Sequence, residues 1–131
     1  MEEKREGLME IRVKILEPVS VEGGKQNVVM IPFTAEADGP YFTGKTIGAG
    51  VDTQRIEKDG YARLSARYML EGTDLAGNAC RVFIENQGSW DTGFIPAIVT
   101  DSPVLAPWET AKLAATVEGI GGGVLIRISE A

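Results

Sequence analysis

Between Asp52 and Asn86 the chain places five side chains whose types could do chemistry together: a carboxylate (Asp52), two amides (Gln54 and Asn86), a guanidinium (Arg67) and a phenol (Tyr68). A carboxyl group in apolar surroundings is pushed toward its neutral form, and can then act as a general base or acid. A tyrosine hydroxyl beside it can donate a hydrogen bond to a developing oxyanion, as enolisation requires. Gln54 and Asn86 are suited to orienting the polar end of a ligand, and Arg67 to pairing with a carboxylate on it. Trp90 and Trp108 can close the barrel ends or stack on a ring. Asp52 and Tyr68 are therefore the expected catalytic pair, with Gln54, Arg67, Asn86 and Trp108 as expected ligand-binding residues. The competing reading is that these polar groups satisfy one another or trapped water inside a filled fold.

What the sequence lacks narrows the chemistry. It has no histidine, which removes Ser-His and Cys-His dyads and the commonest zinc ligand. Its one cysteine, Cys80, allows no intramolecular disulfide and reads as a small apolar strand residue. No dense Asp/Asn run of the EF-hand kind occurs, so no metal site and no cofactor are expected. "GIGGG", residues 119–123, lacks the spacing of a nucleotide loop. Glu85 and Glu109 are weaker candidates for a second carboxylate. The formal net charge of −6 argues against nucleic acid and against an anionic membrane surface as partners. The charged opening "MEEKREG" does not read as a secretory signal, and no apolar run is long enough for a membrane span. A cytoplasmic location is expected by default.

Positioning these side chains requires strands. "LMEIRVKIL" alternates, with Met9, Ile11, Val13 and Ile15 on one face, until Pro18 ends it. "NVVMIPFTAEA" is a second extended stretch, and Pro32 within it suggests an edge or a bulge. "DGPYFTGKTIGAG" is too rich in glycine for a helix; it reads as a turn, a short strand from Phe42 to Ile47 and a kink. "VDTQRIE" and "YARLSARYMLEG" are strands joined by a hairpin at "KDG". If Glu57 pairs with Tyr61, Asp52 lies opposite Ala66 and Gln54 opposite Leu64, and both share a face with Tyr68. A one-residue bulge would instead set Arg67 beside Asp52. "ACRVFIENQG" carries Val82, Ile84 and Asn86 on one face. A further short strand falls near Phe94 to Val99. "WETAKLAATVEG" suits helix by composition but also alternates, and strand is preferred because "GIGGG" then turns it into "VLIRISEA". Eight or nine short strands with little or no helix indicate an all-β chain, a single antiparallel β-barrel over residues 1–131 with 1–7 as a tail. An eight-stranded barrel leaves room for one small ligand.

"GPYFTGKTIG" followed by "GVDTQRIEKDGYARLSARYMLEGTDLAGNACRVFIENQG" resembles domain-of-unknown-function family 3237. The resemblance rests on Gly39, Tyr41, Phe42, Gly44, Gly48, Asp52, Gln54, Asp59, Gly60, Ala66, Arg67, Tyr68, Asn86 and Gly88, in order, across roughly residues 28–88. The C-terminal third departs: "TDSP" keeps Pro103 without the family's Arg-Thr pair, and no W-L-N strand follows. The resemblance implies a small barrel similar to lipocalin-like or allene oxide cyclase-like barrels, and no settled activity.

The expectation is a barrel that holds a small apolar or cyclic organic molecule, with any catalysis being cofactor-free isomerisation, cyclisation or hydration. Its alternative is a non-catalytic assembly protein with a filled barrel. The stretches "NVVMIPF" and "GVLIRI", apolar on both faces, favour a homodimer or higher homo-oligomer.

Overall fold

The computed structural model describes residues 7–131; apart from Gly7, the expected tail lies outside the described residues. Ten strands follow in order: β1 (Met9–Ile15), β2 (Val19–Glu22), β3 (Gln26–Asp38), β4 (Phe42–Thr46), β5 (Gly50–Glu57), β6 (Ala62–Asp74), β7 (Ala79–Ser89), β8 (Gly93–Thr100), β9 (Leu113–Ile120) and β10 (Gly123–Glu130). All pairings are antiparallel, and β1 closes the sheet by pairing with β10 on one side and β3 on the other. β4 and β5 occupy one position in the circuit, each pairing with a different half of β3 and of β6. β2 pairs only with the N-terminal half of β3. The closed barrel thus has eight strand positions. None of the described helices is long and apolar enough to cross a membrane.

β2 adds a strand that the sequence reading lacks, which passes from the end of the first strand at Pro18 to "NVVMIPFTAEA". Val19–Glu22 is instead an exposed edge strand, and its two valines pair across from Met30 and Val28. Pro32 sits where β3 changes neighbour from β2 to β1, opposite the break at Leu16–Pro18. A residue without an N–H leaves no ladder bond unmade there. The 106–120 segment also differs in detail. Ala106–Glu109 forms a short 3₁₀ turn, and the strand begins at Leu113 rather than at Trp108.

One end of the barrel is solid. Leu8, Met9, Phe42, Leu70, Leu105 and Ile128 are fully buried there, each contributing roughly 1.5–3 kcal/mol by burial. Trp108 belongs to this core, its ring 5.7 Å from that of Tyr41. Cys80 is buried, and desolvation pushes its thiol pKa up, which suits a core residue rather than a nucleophile. Asp74 ties this end together. Its carboxylate accepts from the backbone N–H of Ala76 and of Asn78, both at 3.0 Å, and from the Ser102 hydroxyl at 2.7 Å. One side chain therefore fixes the β6–β7 turn and the loop that carries Trp108.

Those bonds favour the charged carboxylate, the Ser102 bond most, and hold Asp74 below the ordinary carboxylate range. A depressed folded pKa gives stability that is present above the unfolded value and lost as pH falls through the folded one. Asp74→Asn should therefore lower Tm at pH 7, and the gap to wild type should narrow steadily in acid. Thermal melts by circular dichroism from pH 7 to pH 3 test this; a gap independent of pH would contradict it.

Candidate functional site

The opposite end of the barrel is built by the hairpin of β5 and β6. Its turn is closed by the Glu57 N–H donating to the Tyr61 carbonyl at 2.8 Å, with Gly60 at φ +95°. That register sets Asp52 opposite Ala66 and Gln54 opposite Leu64. Ala66 in turn faces Asn86 on β7. Asp52 and Asn86 therefore flank a small alanine, two strand spacings or roughly 10 Å apart along the sheet. The next inward row down holds Tyr68, opposite Ile84. Tyr68 has room because the neighbouring position on β5 is Gly50. A Cβ there would lie 2.6 Å from the Tyr68 Cβ and 2.7 Å from the Phe33 ring. The Tyr68 and Phe33 rings meet edge to face at 5.2 Å.

Above this row lies a cavity of about 130 Å³. Asp52, Gln54 and Asn86, set around Ala66, form its polar side; Val117, Val124 and Ile126 of β9 and β10 form the apolar side. The volume is comparable to the roughly 150 Å³ of an apolar cavity that admits benzene. Trp90 and Phe94 stand at its rim, their rings edge to face at 5.1 Å. Trp90 is 64% exposed. Its turn is held by the Ser89 and Thr92 hydroxyls, 2.8 Å apart.

The polar side is under-bonded. Gln54 Nε2 donates to Asp52 Oδ2 at 3.0 Å. Asp52 Oδ1, the Tyr68 hydroxyl and Asn86 Oδ1 are buried without a hydrogen-bond partner, as is Asn27 Oδ1 further along β3. An unmet buried polar group costs about 1–3 kcal/mol. Burial raises the pKa of Asp52, the Gln54 bond opposing it in part. Burial raises the Tyr68 pKa as well, so its hydroxyl keeps its proton.

Of the residues singled out from sequence, Asp52, Gln54 and Asn86 come together and Tyr68 lies one row deeper. Arg67 and Trp108 stand apart. The bulge that would bring Arg67 inward does not form. It pairs across from Val51 on the outer face and bonds Glu85 through Nε at 2.9 Å. Glu85 is outward with it. Trp108 lies in the solid end, so the tryptophan at the cavity is Trp90. Sequence reasoning named both tryptophans but preferred Trp108 as the ligand-binding one, and it missed Phe94. The signal available for Trp90 was its place in a tight turn, "SWDTG", directly after the strand that carries Asn86. Among the described residues no cluster of three or more metal-ligating side chains occurs.

The family described as "Protein of unknown function (DUF3237)" matches residues 4–94. A UPF0311 protein of Clostridium acetobutylicum is 31% identical over 88 residues, 63% of this chain and 52% of that protein. The aligned stretch thus spans about half the length of that curated relative. A solved protein of unknown function from Clostridium acetobutylicum superposes with a TM-score of 0.82 at 20% identity, covering 99% of this chain and 98% of that one. A solved structure described as an enzyme from Penicillium herquei gives 0.76 at 12% identity, covering 99% and 97%. At these identities the two structural likenesses are likenesses of fold.

The carboxyl of Asp52 offers a direct test of the site. A raised folded pKa means the folded state is favoured below the unfolded value and loses that advantage as pH rises through the folded one. At pH 7 the buried charge is a burden, so Asp52→Asn should raise Tm at neutral pH, with the gain fading as pH drops below the carboxylate range. Paired melts at pH 7.5 and pH 3.5 measure both halves. A lower Tm at neutral pH would show that the carboxylate is stabilising where it sits.

Proposed function

We propose that this chain, which belongs to the DUF3237 family of proteins of unknown function, binds a small, mainly apolar or cyclic organic molecule at the open end of its barrel. The observation that carries this reading is the pair of unpartnered oxygens at one cavity wall, Asp52 Oδ1 and Asn86 Oδ1, with the equally unpartnered Tyr68 hydroxyl buried one row deeper. A ligand that hydrogen-bonds to them offsets the desolvation cost of burying these oxygens. The cavity volume of about 130 Å³ suits roughly one six-membered ring as the inserted part.

The lining also suggests the ligand's polarity. Its only ionisable side chain is Asp52, and no Lys or Arg lines the cavity. A carboxylate would meet like charge and no countercharge there. The inserted end is therefore a hydroxyl or N–H donor. Pairing of a ligand carboxylate with Arg67, expected from the sequence, has no support in this geometry.

The same groups suit proton transfer. A carboxyl shifted upward by burial is a stronger base than an exposed one, and a tyrosine that keeps its proton remains a donor at neutral pH. Asp52 would take a proton from the ligand's donor group or an adjacent carbon, and Tyr68 would stabilise the oxygen on which charge develops. A barrel of this fold is described as an enzyme in Penicillium herquei, so the scaffold itself is compatible with catalysis.

Native mass spectrometry of gently purified protein, with denaturing extraction of whatever is bound, gives the ligand class. Calorimetric titration with cyclohexanol, benzyl alcohol and benzoate then tests the polarity argument. The neutral alcohols should bind more tightly than benzoate by at least about tenfold, or ~1.4 kcal/mol. Asp52→Asn, Tyr68→Phe and Trp90→Ala should each weaken the alcohols, with the Trp90 signal itself changing on binding in wild type. Unchanged affinity in both Asp52→Asn and Tyr68→Phe would remove the proposal.

A further inference from the structure

A barrel is convex outside, so a hollow there needs low side chains between tall ones. The register builds one over β5, β6 and β7. One outward row runs Met30, Thr53, Ser65, Gln87 and Ile95 across β3, β5, β6, β7 and β8. Its centre is two hydroxyls and an amide, and its two ends are apolar and exposed. The next row on one side sets Arg55 directly opposite Arg63, and the next row on the other side holds Arg67. Rows on one face of a strand lie about 7 Å apart, so guanidiniums stand on both sides of the Thr53–Ser65 floor. The hollow is an open groove of about 980 Å³, at the upper end of the range of ligand sites.

Charge and unmet hydrogen bonding say what the groove takes. Arg55, Arg63 and Arg67 line it and, among the described residues, no Asp or Glu does, in a chain whose net charge is −6. Elsewhere on the surface each described arginine is matched by a carboxylate: Arg12 by Asp38 at 2.8 Å, Arg81 by Glu71 at 3.0 Å and Arg127 by Glu118 at 3.1 Å. Arg55 is the one described arginine with no carboxylate partner; its Nη1 donates to the neutral Gln26 Oε1 at 3.3 Å. Like charges directly opposite on neighbouring strands are destabilising, and Glu57, 3.7 Å from Arg63, answers only one of the two. Glu85 engages Arg67 through Nε at 2.9 Å, which leaves its terminal N–H groups to donate. On the floor between these rows, Ser65 Oγ is buried with no hydrogen-bond partner. An anion seated there supplies both the acceptor that the Ser65 hydroxyl lacks and the countercharge that the Arg55–Arg63 pair lacks.

We propose that this groove binds an organic anion, its carboxylate or phosphate seated on Ser65 among Arg55, Arg63 and Arg67. The apolar part of the ligand lies along the row toward Ile95, two strand spacings or about 10 Å from Ser65. Ile95 is 70% exposed against 43% for Met30 at the other end, and so has more apolar surface to cover. The site is outside the barrel and does not depend on the cavity reading; it gives Arg67 a binding role away from Asp52. Titration with hexanoate and with hexyl phosphate in low-salt buffer, followed by backbone amide NMR shifts, tests it. Shifts at Thr53, Ser65 and Gln87 should saturate with at least one probe, and the tighter probe identifies the head group. Arg55→Gln and Arg63→Gln should each weaken binding by about fivefold, and Ser65→Ala should weaken it too. Arg127→Gln, on the far side beside Glu118, should leave it unchanged. If Arg55→Gln disturbs the fold, as its own spectrum would show, Arg63→Gln carries the test. Shifts at Asp52 and Asn86 in place of Ser65 would put the anion in the cavity and overturn the proposal. So would equal losses in Arg127→Gln and Arg63→Gln, the mark of diffuse attraction, or the absence of saturation with both probes.

Discussion

The register of the β5–β6 hairpin is the constraint on which the rest depends. Side chains on a strand alternate with a period of two, so a slip of one residue exchanges the two faces. With Glu57 bonded to Tyr61, Asp52, Gln54 and Tyr68 point into the barrel while Arg55, Arg63 and Arg67 point out. A slipped β6 would carry Arg67 inward to face an apolar core and turn Tyr68 and Leu70 to solvent. Burying an unpaired guanidinium is far costlier than the slip itself. The Asp59–Gly60 turn and the core thus enforce one another, and the polar cavity wall and the arginine-bearing outer face are two consequences of a single pairing.

That pairing explains how a polar group can persist inside a barrel this small. The solid end, with Phe42, Leu70, Leu105 and Trp108, is closed and tied by Asp74 to two loops. It carries the packing that lets the other end depart from it. Near the cavity the side chains shrink: Gly50 beside Tyr68, Ala66 between Asp52 and Asn86. Small residues at those places leave space instead of filling it, and the oxygens around that space stay unbonded. A chain selected only for stability would place a larger apolar residue at position 66 and no carboxylate at position 52. The departure from close packing is local, confined to the cavity and its neighbours.

The fold was largely legible because its signals are local. Alternation in 9–15 and 82–86, the D-G hairpin and the glycine-rich break between β4 and β5 each depend on a few neighbouring residues. The opposition of Asp52 to Ala66 followed from the turn alone. What was not legible depends on distance. β2 is four exposed residues with no buried face, so nothing in its pattern distinguishes it from a loop; only its pairing with β3 makes it a strand. The exchange of Trp108 for Trp90 has the same origin. Both tryptophans look alike in sequence, and which end of the barrel each occupies is decided by the closure between β8 and β9, where Phe94 and Ala115 form the one registered pair. Arg67 was ambiguous because a bulge is a one-residue event, settled by its outward partner Glu85 on the next strand.

The two walls of the cavity differ in a way that bears on specificity. Asp52, Gln54 and Asn86 all fall within residues 4–94, the part matched by the family. Val117, Val124 and Ile126, which face them, fall beyond it, where the R-T-x-P and W-L-N segments suggested by the resemblance are absent. The polar wall can present hydrogen-bonding groups to a ligand, but it cannot by itself choose among ligands of different shape. Choice of shape requires the opposing surface, because apolar contacts discriminate only through the space they leave. Here that surface is two β-branched valines and an isoleucine, stiff at χ1 and unable to hydrogen-bond. A ligand carrying a second polar group toward β9 and β10 would leave that group unbonded in apolar surroundings. On the proposed reading, the ligand is therefore a molecule polar at one end only, with its recognition chemistry on β5–β7 and its size limit on β9 and β10.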